Sequence, residues 1–287
     1  FFDEIDEISK PLKQEKKKNL FSGDDGSITG MFKGKMATTI TSESTGDVIS
    51  RTYEDTYDFS LPVKGIKNIQ KSLDRFSMKE SFESSEKYHG ARDALVQTQF
   101  AVLPKILHIH LRRFFYSKKL CRVDKLNTYF SFTEMIDLEP YMCEPCEIDK
   151  EKKKSKLFRK SQKIDETQAD NNEEFTYKGS FKFILCGVIV HEGELSSSGH
   201  YYCYFKSLSK DQKLNQWYLF NDTIVQKVTP KEAIDENFGK DKVNADGSAY
   251  ILVYVREDAI DEVFNIKDSD YSIPADVVNF FKTDTNT

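Results

Sequence analysis

Short segments rich in β-branched and aromatic residues recur along most of this chain, and they constrain its fold more than any other feature. The clearest lies in residues 102–115, where Leu107, Ile109 and Leu111 share one face of an extended chain and two histidines share the other. Alternation with a period of two residues predicts a β-strand. Further segments of this kind are residues 181–190, 201–206, 217–220 and 250–255. The sequence therefore predicts a fold dominated by strands.

Helical patterns are few and short. Residues 66–76 carry apolar side chains at helical spacing and predict a short helix within the mostly polar stretch 64–99. Thr229, Pro230 and Glu232 have the pattern of an N-cap, a proline in the first turn and a capping-box acid, which predicts the start of a helix.

The two ends of the chain and one internal stretch differ from the rest. Residues 1–10 have helical spacing but no N-cap before them, so we expect the chain to be a fragment that begins within a helix. Residues 258–281 predict a peripheral helix. Residues 143–174 are of low complexity and predict a flexible insertion. Within it, the Lys- and Arg-rich residues 150–163 are either a patch for an anionic partner or a solvated charge run.

Composition narrows the class of protein. The formal net charge of −5 gives no indication of nucleic-acid binding, and the 38% hydrophobic content is that of a folded chain. No apolar run approaches the roughly 20 residues that cross a bilayer, and no signal-peptide pattern is present. The five cysteines are odd in number and irregularly spaced, which argues against a disulfide framework and favours a reducing, intracellular compartment.

One histidine and one polar turn could carry chemistry together. His200 follows a Ser/Gly loop and opens a predicted strand, a placement that suits a general base but is also that of an ordinary surface histidine. Asn221 and Asp222 end the next predicted strand, where they could orient an imidazole or simply form a turn. Antiparallel pairing of the two strands would place the start of one beside the end of the other, which favours the catalytic interpretation.

An ordered set of motifs resembles the catalytic domain of ubiquitin-specific proteases. The segment CGVIVHEG at 186–193, followed by SGHY at 198–201, is similar to the histidine segment of that family. The segment WYLFND at 217–222 is similar to the one that carries the third member of its catalytic triad. Other matching segments are YDFSLPVKG at 57–65, LPKILHIHLRRF at 103–114 and SAYILVY at 248–254. The Tyr-rich residues 54–61 and the tail after residue 257 most resemble the herpesvirus-associated branch of that family.

The resemblance implies a fold, a reaction and a set of roles. The fold would be α+β and papain-like, with palm and fingers subdomains, an antiparallel sheet and most of the thumb missing. The boundaries implied are a partial catalytic domain at 1–260, with the end of the thumb at 1–12, the fingers at 31–100, the palm at 101–257 and a C-terminal extension at 258–287. The reaction would be thiolate attack on the bond after the ubiquitin C-terminal glycine, an acyl-enzyme and its hydrolysis.

The same resemblance implies roles for particular residues. His200 would be the general base, Asn221 would orient it, and Asp222 would assist. Gly199, Tyr201 and His191 would bind the ubiquitin tail. The partners would be ubiquitin and ubiquitinated proteins, with no nucleic acid and no membrane, and the location would be the nucleus, the cytoplasm or both.

The nucleophile is where the sequence departs from the family. No cysteine precedes Cys121, so the family's cysteine segment and its oxyanion-stabilising side chain have no counterpart here. Cys203 lies at an odd offset from His200, which predicts the opposite strand face and packing in the core. Cys186 lies in an apolar strand and is expected to be buried and inert. We therefore expect the chain alone to be inactive, as part of a larger deubiquitinase or as a ubiquitin-binding pseudoenzyme.

We expect no metal and no other cofactor. The family's paired Cys-x-x-Cys zinc ligands are missing from residues 40–50 and 80–98, and Cys143 with Cys146 gives only two of the four ligands a structural zinc needs. His108 and His110 share a strand face, and packing explains them better than metal binding.

Overall fold

A computed structural model describes residues 28–88, 91–118, 121–144, 177, 179–195, 198–208, 215–239 and 247–264. The predicted helix at 1–10, the basic run at 150–163, Cys146 and residues beyond 264 lie outside these ranges.

Strands dominate the described chain, as the sequence predicts. In chain order they are β1 (Gly34–Ser42), β2 (Val48–Thr56), β3 (Phe59–Pro62), β4 (Glu80–Tyr88), β5 (Ala91–Val102), β6 (Ile106–Arg112), β7 (Phe114–Ser117), β8 (Arg122–Lys125), β9 (Met135–Asp137), β10 (Lys182–Leu195), β11 (Ser198–Lys206), β12 (Trp217–Asn221), β13 (Ile224–Val228) and β14 (Ser248–Arg256).

A four-stranded antiparallel sheet is formed in the order β2-β1-β5-β4. The long strands β4 and β5 occupy most of residues 80–102, where the sequence predicted only polar chain after a short helix. The prediction failed because neighbouring side chains on β5 that point to opposite faces, such as Gln97, Thr98 and Gln99, are all polar and half-buried. A sheet with two largely accessible faces gives no clean alternation of apolar and polar residues.

The second sheet has ten strands and carries the candidate site. Its main path is β13-β12-β11-β10-β14-β6-β3, and β7, β8 and β9 join it from the side. All its pairs are antiparallel except β3 with β6. The alternation predicted for residues 102–115 is confirmed over β6, where Leu107, Ile109 and Leu111 are buried.

Within the described ranges, the α-helices are short: α1 (Ile69–Phe76), α2 (Pro230–Ala233) and α3 (Ile260–Phe264). The side chain of Asn68 caps α1 by accepting from the amide of Lys71. The predicted capping box is confirmed at α2, where Thr229 accepts from the amide of Glu232 and the Glu232 carboxylate accepts from the amide of Thr229. The start of the predicted C-terminal helix is present as α3.

One apolar core joins the two sheets. The rings of Phe59 on β3 and Phe100 on β5 stack with centroids 4.4 Å apart. A second, smaller cluster lies on the outer face of the larger sheet, where α3 packs over Cys186 and Val255. The architecture confirms an α+β fold with antiparallel sheets. Among the described residues, none of the helices has the length and hydropathy that a bilayer crossing requires.

Candidate active site

The hairpin of β10 and β11 presents His200 at the edge of the larger sheet. Glu192 lies opposite His200, and Leu195 lies opposite Ser198 next to the turn. Gly193 and Gly199 flank the hairpin end with φ of 130° and 149°, which other residues rarely adopt. Gly193 lies at the register shift of the ladder between Glu192 and Leu195, and Gly199 lies opposite this irregularity. His200 itself is held by strand pairing with Glu192.

The neighbouring strand β12 brings the second group. β11 and β12 pair antiparallel with Cys203 opposite Phe220, as the sequence predicts, so Asn221 comes beside His200. Asp222 and Thr223 then make a two-residue turn into β13, with Asp222 at a φ of 50°, a conformation that Asp tolerates better than most residues. A one-residue slip of β12 would carry Asn221 to the other face of the sheet.

Asn221 and His200 are in hydrogen-bond contact. The distance from His200 Nε2 to Asn221 Oδ1 is 2.5 Å. Because an amide oxygen only accepts, the pair requires the proton on Nε2, which leaves the lone pair on Nδ1. A neutral imidazole of this tautomer can accept a proton at Nδ1 from a nucleophile.

Asp222 is placed further from the ring. Its Oδ2 lies 3.8 Å from His200 Nε2, and its side chain is 77% exposed against 42% for His200. At this distance an exposed carboxylate makes no hydrogen bond to the ring, and it attracts the ring by a screened charge interaction only when the imidazole is protonated. The three residues predicted as catalytic are therefore brought together, with Asn221 as the direct partner.

The three residues predicted to bind the ubiquitin tail also lie together, but they differ in how deeply they are buried. Tyr201 is 48% exposed, whereas His191 is 1% exposed beneath it, with ring centroids 4.6 Å apart. Phe114 and Tyr250 complete an aromatic cluster around His191. Burial and the nearby Lys125 lower the pKa of His191, which favours the neutral form of its ring. Any ligand over this cluster would meet the Tyr201 ring and not the His191 ring.

Gly199 is packed too closely to carry a side chain. A Cβ added there would lie 2.4 Å from both the carbonyl oxygen of Glu192 and Nε2 of His191. The backbone immediately before His200 is thus seated directly on β10 and on the buried imidazole. This contact passes any displacement of β10 to His200.

Two cations near the site were not identified from the sequence. Lys125 donates to the carbonyl of His191, and Arg113 is buried beside β14 with its guanidinium donating to the Ala249 carbonyl at 2.7 Å. Arg113 lies within a matching segment, LPKILHIHLRRF, which is the signal that could have drawn attention to it. Lys125 follows no pattern that distinguishes it from other lysines.

The described cysteines do not supply a nucleophile beside His200. Cys203 is on the opposite face of β11, as predicted, but that face is the outer one, so the expected core packing is wrong and the side chain is half-exposed. Cys186 is buried, and burial raises the pKa of its thiol to about 12. Cys121 is exposed in the turn between β7 and β8.

The two histidines of β6 contact aromatic rings. His108 lies 4.9 Å from the ring of Phe32, and His110 lies 4.6 Å from the ring of Tyr250. Burial lowers the pKa of both. Within the ranges that the structure describes, no group of three or more His, Cys, Asp or Glu side chains could hold a metal ion.

Comparison with known proteins places this geometry in a family. The profile described as ubiquitin carboxyl-terminal hydrolase matches residues 1–254. Ubiquitin carboxyl-terminal hydrolase 15 of Saccharomyces cerevisiae is 31% identical over 256 residues, which cover 82% of this chain and 19% of that protein. Ubiquitin carboxyl-terminal hydrolase 7 of Drosophila melanogaster is 30% identical over 258 residues, which cover 86% of this chain and 20% of that protein. The chain thus spans about a fifth of the length of these relatives.

A solved structure shares the fold. The SAGA Ubp8/Sgf11/Sus1/Sgf73 DUB module bound to ubiquitin aldehyde contains a chain that superposes with a TM-score of 0.57 at 22% identity, covering 80% of this chain and 42% of that one. With the family profile and the two relatives, this establishes that the chain belongs to the ubiquitin carboxyl-terminal hydrolase family, with the fold of its ubiquitin-specific protease members.

Proposed function

We propose that the protein containing this chain is an intracellular cysteine-type deubiquitinase of the herpesvirus-associated branch, which hydrolyses the bond after the C-terminal glycine of ubiquitin. The observation that carries the proposal is the 2.5 Å contact between His200 Nε2 and Asn221 Oδ1. In this assignment His200 is the general base, Asn221 fixes its tautomer and orientation, and Asp222 adds electrostatic support. His200 Nδ1 would take the thiol proton and later deliver it to the leaving amine.

The two sheets divide the binding task in this proposal. The four-stranded sheet would be the fingers that hold the globular body of ubiquitin, and the ten-stranded sheet would be the palm. Gly199 and Tyr201 would line the channel for the ubiquitin tail, with the buried His191 supporting the Tyr201 ring from below. The exposed face of Tyr201 and the glycine backbone beside it suit a narrow Gly-Gly tail.

The nucleophile would come from a segment that this chain does not contain. Cys203 and Cys186 lie on the outer side of the larger sheet, Cys121 lies in the exposed turn between β7 and β8, and the amide of Cys143 donates to the Phe100 carbonyl of β5. The 287-residue chain alone would therefore bind ubiquitin without cleaving it. The same observation favours a second candidate function, a ubiquitin-binding module without hydrolase activity.

Hydrolysis of a ubiquitin C-terminal fluorogenic amide separates the two candidates. The full-length protein should cleave the amide, and His200→Ala should lower kcat/KM by about 10²- to 10⁴-fold, the usual contribution of a general base. Asn221→Ala should cost at least about tenfold, and Asn221→Asp should keep most of the activity because a carboxylate also accepts from Nε2. Thr223→Ala, in the same turn, is the matched control.

The outcomes are distinct. Binding without cleavage by the full-length protein would support the binding module. Full activity in His200→Ala would remove the assignment of the base, and cleavage by the 287-residue chain alone would mean that one of its own cysteines is the nucleophile.

A further inference from the structure

Lys125 lies under the hairpin that presents His200. It ends the short strand β8, which pairs with β7 through Phe114 and touches β10 where Asp124 lies opposite Leu195. Its ammonium donates a hydrogen bond to the carbonyl oxygen of His191. The side chain thus links a peripheral strand to β10 one residue before Glu192.

The ammonium is held there at an electrostatic cost. Burial and the neighbouring Arg113 lower the pKa of Lys125 to about 8, and only the attraction of Glu192 acts in the other direction. Lys125 makes no salt bridge with any described residue, so the His191 carbonyl is its direct partner. A partly buried charge without a carboxylate partner needs a strong hydrogen bond to remain in place.

The His191 carbonyl is coupled to His200 by close contacts. Glu192 lies opposite His200 in the β10–β11 ladder. A Cβ on Gly199 would clash with the carbonyl of Glu192 and with Nε2 of His191, so the backbone preceding His200 packs directly against these two residues. A shift of β10 at this point must displace Gly199, and with it the imidazole that meets Asn221.

We propose that Lys125 is a positioning residue for His200, which acts by holding the His191 carbonyl so that β10 supports Gly199 and the imidazole meets Asn221. The catalytic part of this inference rests on the function proposed above. The expected consequence is a kinetic one, because misplacing a reacting group by about 1 Å can cost on the order of a hundredfold in rate while substrate contacts remain intact.

The test compares three variants of the full-length protein. Lys125→Met keeps the aliphatic stem and removes the donor, Lys125→Arg keeps a charged donor, and Lys182→Met removes an exposed lysine at the start of β10, opposite Asp137. With the ubiquitin fluorogenic amide, Lys125→Met should lower kcat by about tenfold or more with KM within about twofold. Lys125→Arg should recover most of kcat, and Lys182→Met should match the parent protein.

Hydrogen exchange followed by mass spectrometry reports on the hairpin without requiring activity. In Lys125→Met, peptides covering residues 198–206 should exchange at least about tenfold faster, whereas peptides covering residues 34–56 should be unchanged. In Lys125→Met, unchanged hydrogen exchange at the hairpin, or an equal increase throughout the protein, would overturn the proposal. If the parent protein cleaves the amide, unchanged kcat in Lys125→Met would also overturn it. If the parent protein cleaves nothing, the deubiquitinase assignment fails, while localised exchange still supports the positioning of the hairpin by Lys125.

Discussion

Replacing Arg113 with methionine should destabilise the fold far more than the same change at its neighbour. Arg113 is 0% exposed, and its guanidinium donates to four main-chain carbonyls. The acceptors are Ala249 at 2.7 Å, Leu126 at 2.8 Å, Thr128 at 3.0 Å and Phe238 at 3.3 Å. One side chain therefore ties β14, the segment after β8 and the segment after α2 into one unit.

The loss of stability follows from the carbonyl groups that Arg113→Met leaves without a donor. Each buried carbonyl without a donor costs about 1–3 kcal/mol, although the Phe238 carbonyl keeps the amide of Phe130 at 2.8 Å. Removing the cation also removes its desolvation cost, which lowers the pKa of Arg113 to about 10. The net loss should be about 3–5 kcal/mol, because the carbonyls of Ala249, Leu126 and Thr128 lose a donor at about 1–3 kcal/mol each and the relieved desolvation of the cation offsets part of that sum. Arg112 is exposed, so Arg112→Met should change stability by no more than about 0.5 kcal/mol.

Urea unfolding followed by tryptophan fluorescence measures the difference. Trp217 is the single tryptophan of the chain and is 1% exposed in the main core, so its emission reports on the loss of tertiary structure. The midpoint for Arg113→Met should fall well below those of the parent chain and of Arg112→Met, at similar m-values. A difference between the two variants of less than about 1 kcal/mol would refute the argument that the four carbonyls depend on this guanidinium.

Two further predictions concern the hairpin and the thiols. Gly199→Ala should lower hydrolase activity, and it should lower the free energy of unfolding by about 1–3 kcal/mol from backbone strain alone. Gly65 has a φ of 74° but open space around its Cβ position, so Gly65→Ala should lower only the free energy of unfolding. Equal activity in the two variants would contradict the packing argument. Iodoacetamide at pH 8 should modify the exposed Cys121 first, the half-exposed Cys203 more slowly because burial raises its pKa, and the buried Cys186 last, as peptide mass spectrometry can show; early labelling of Cys186 would mean that α3 does not cover it.

The predictions that succeeded rest on local sequence patterns. The alternation in β6 and the capping box at α2 depend only on residues within a few positions of one another, so they can be recognised without tertiary structure. The pairing of β11 with β12 was also predictable, because consecutive strands are usually neighbours and the stretch between Lys206 and Trp217 is shorter than the crossover that a parallel pair needs. That pairing is what brings His200 to Asn221, so the central contact of the site followed from chain order.

Tertiary context explains the failures. The strands β4 and β5 were missed because a sheet that is accessible on both faces lacks the apolar alternation by which strands are recognised. Cys203 was assigned to the core because the larger sheet was assumed to be covered on the face opposite His200. In the structure that face is only partly covered by α3, and Phe205 and Phe220 remain more than a third exposed on it.

The motif around Arg113 marks that residue, but the roles of Lys125 and Arg113 could not be derived from local patterns because they depend on which main-chain carbonyls need a side-chain donor. Around the site the chain turns repeatedly, and the Leu126 and Thr128 carbonyls lie in segments that no sheet ladder satisfies. Only a side-chain donor from elsewhere in the chain can satisfy such groups when they are buried. The guanidinium has five donors in a fixed plane and can serve several carbonyls at once, whereas the ammonium of Lys125 serves one. The two cations therefore satisfy main-chain carbonyls by side-chain hydrogen bonds, as the hydrogen-bond ladders satisfy those within the sheets.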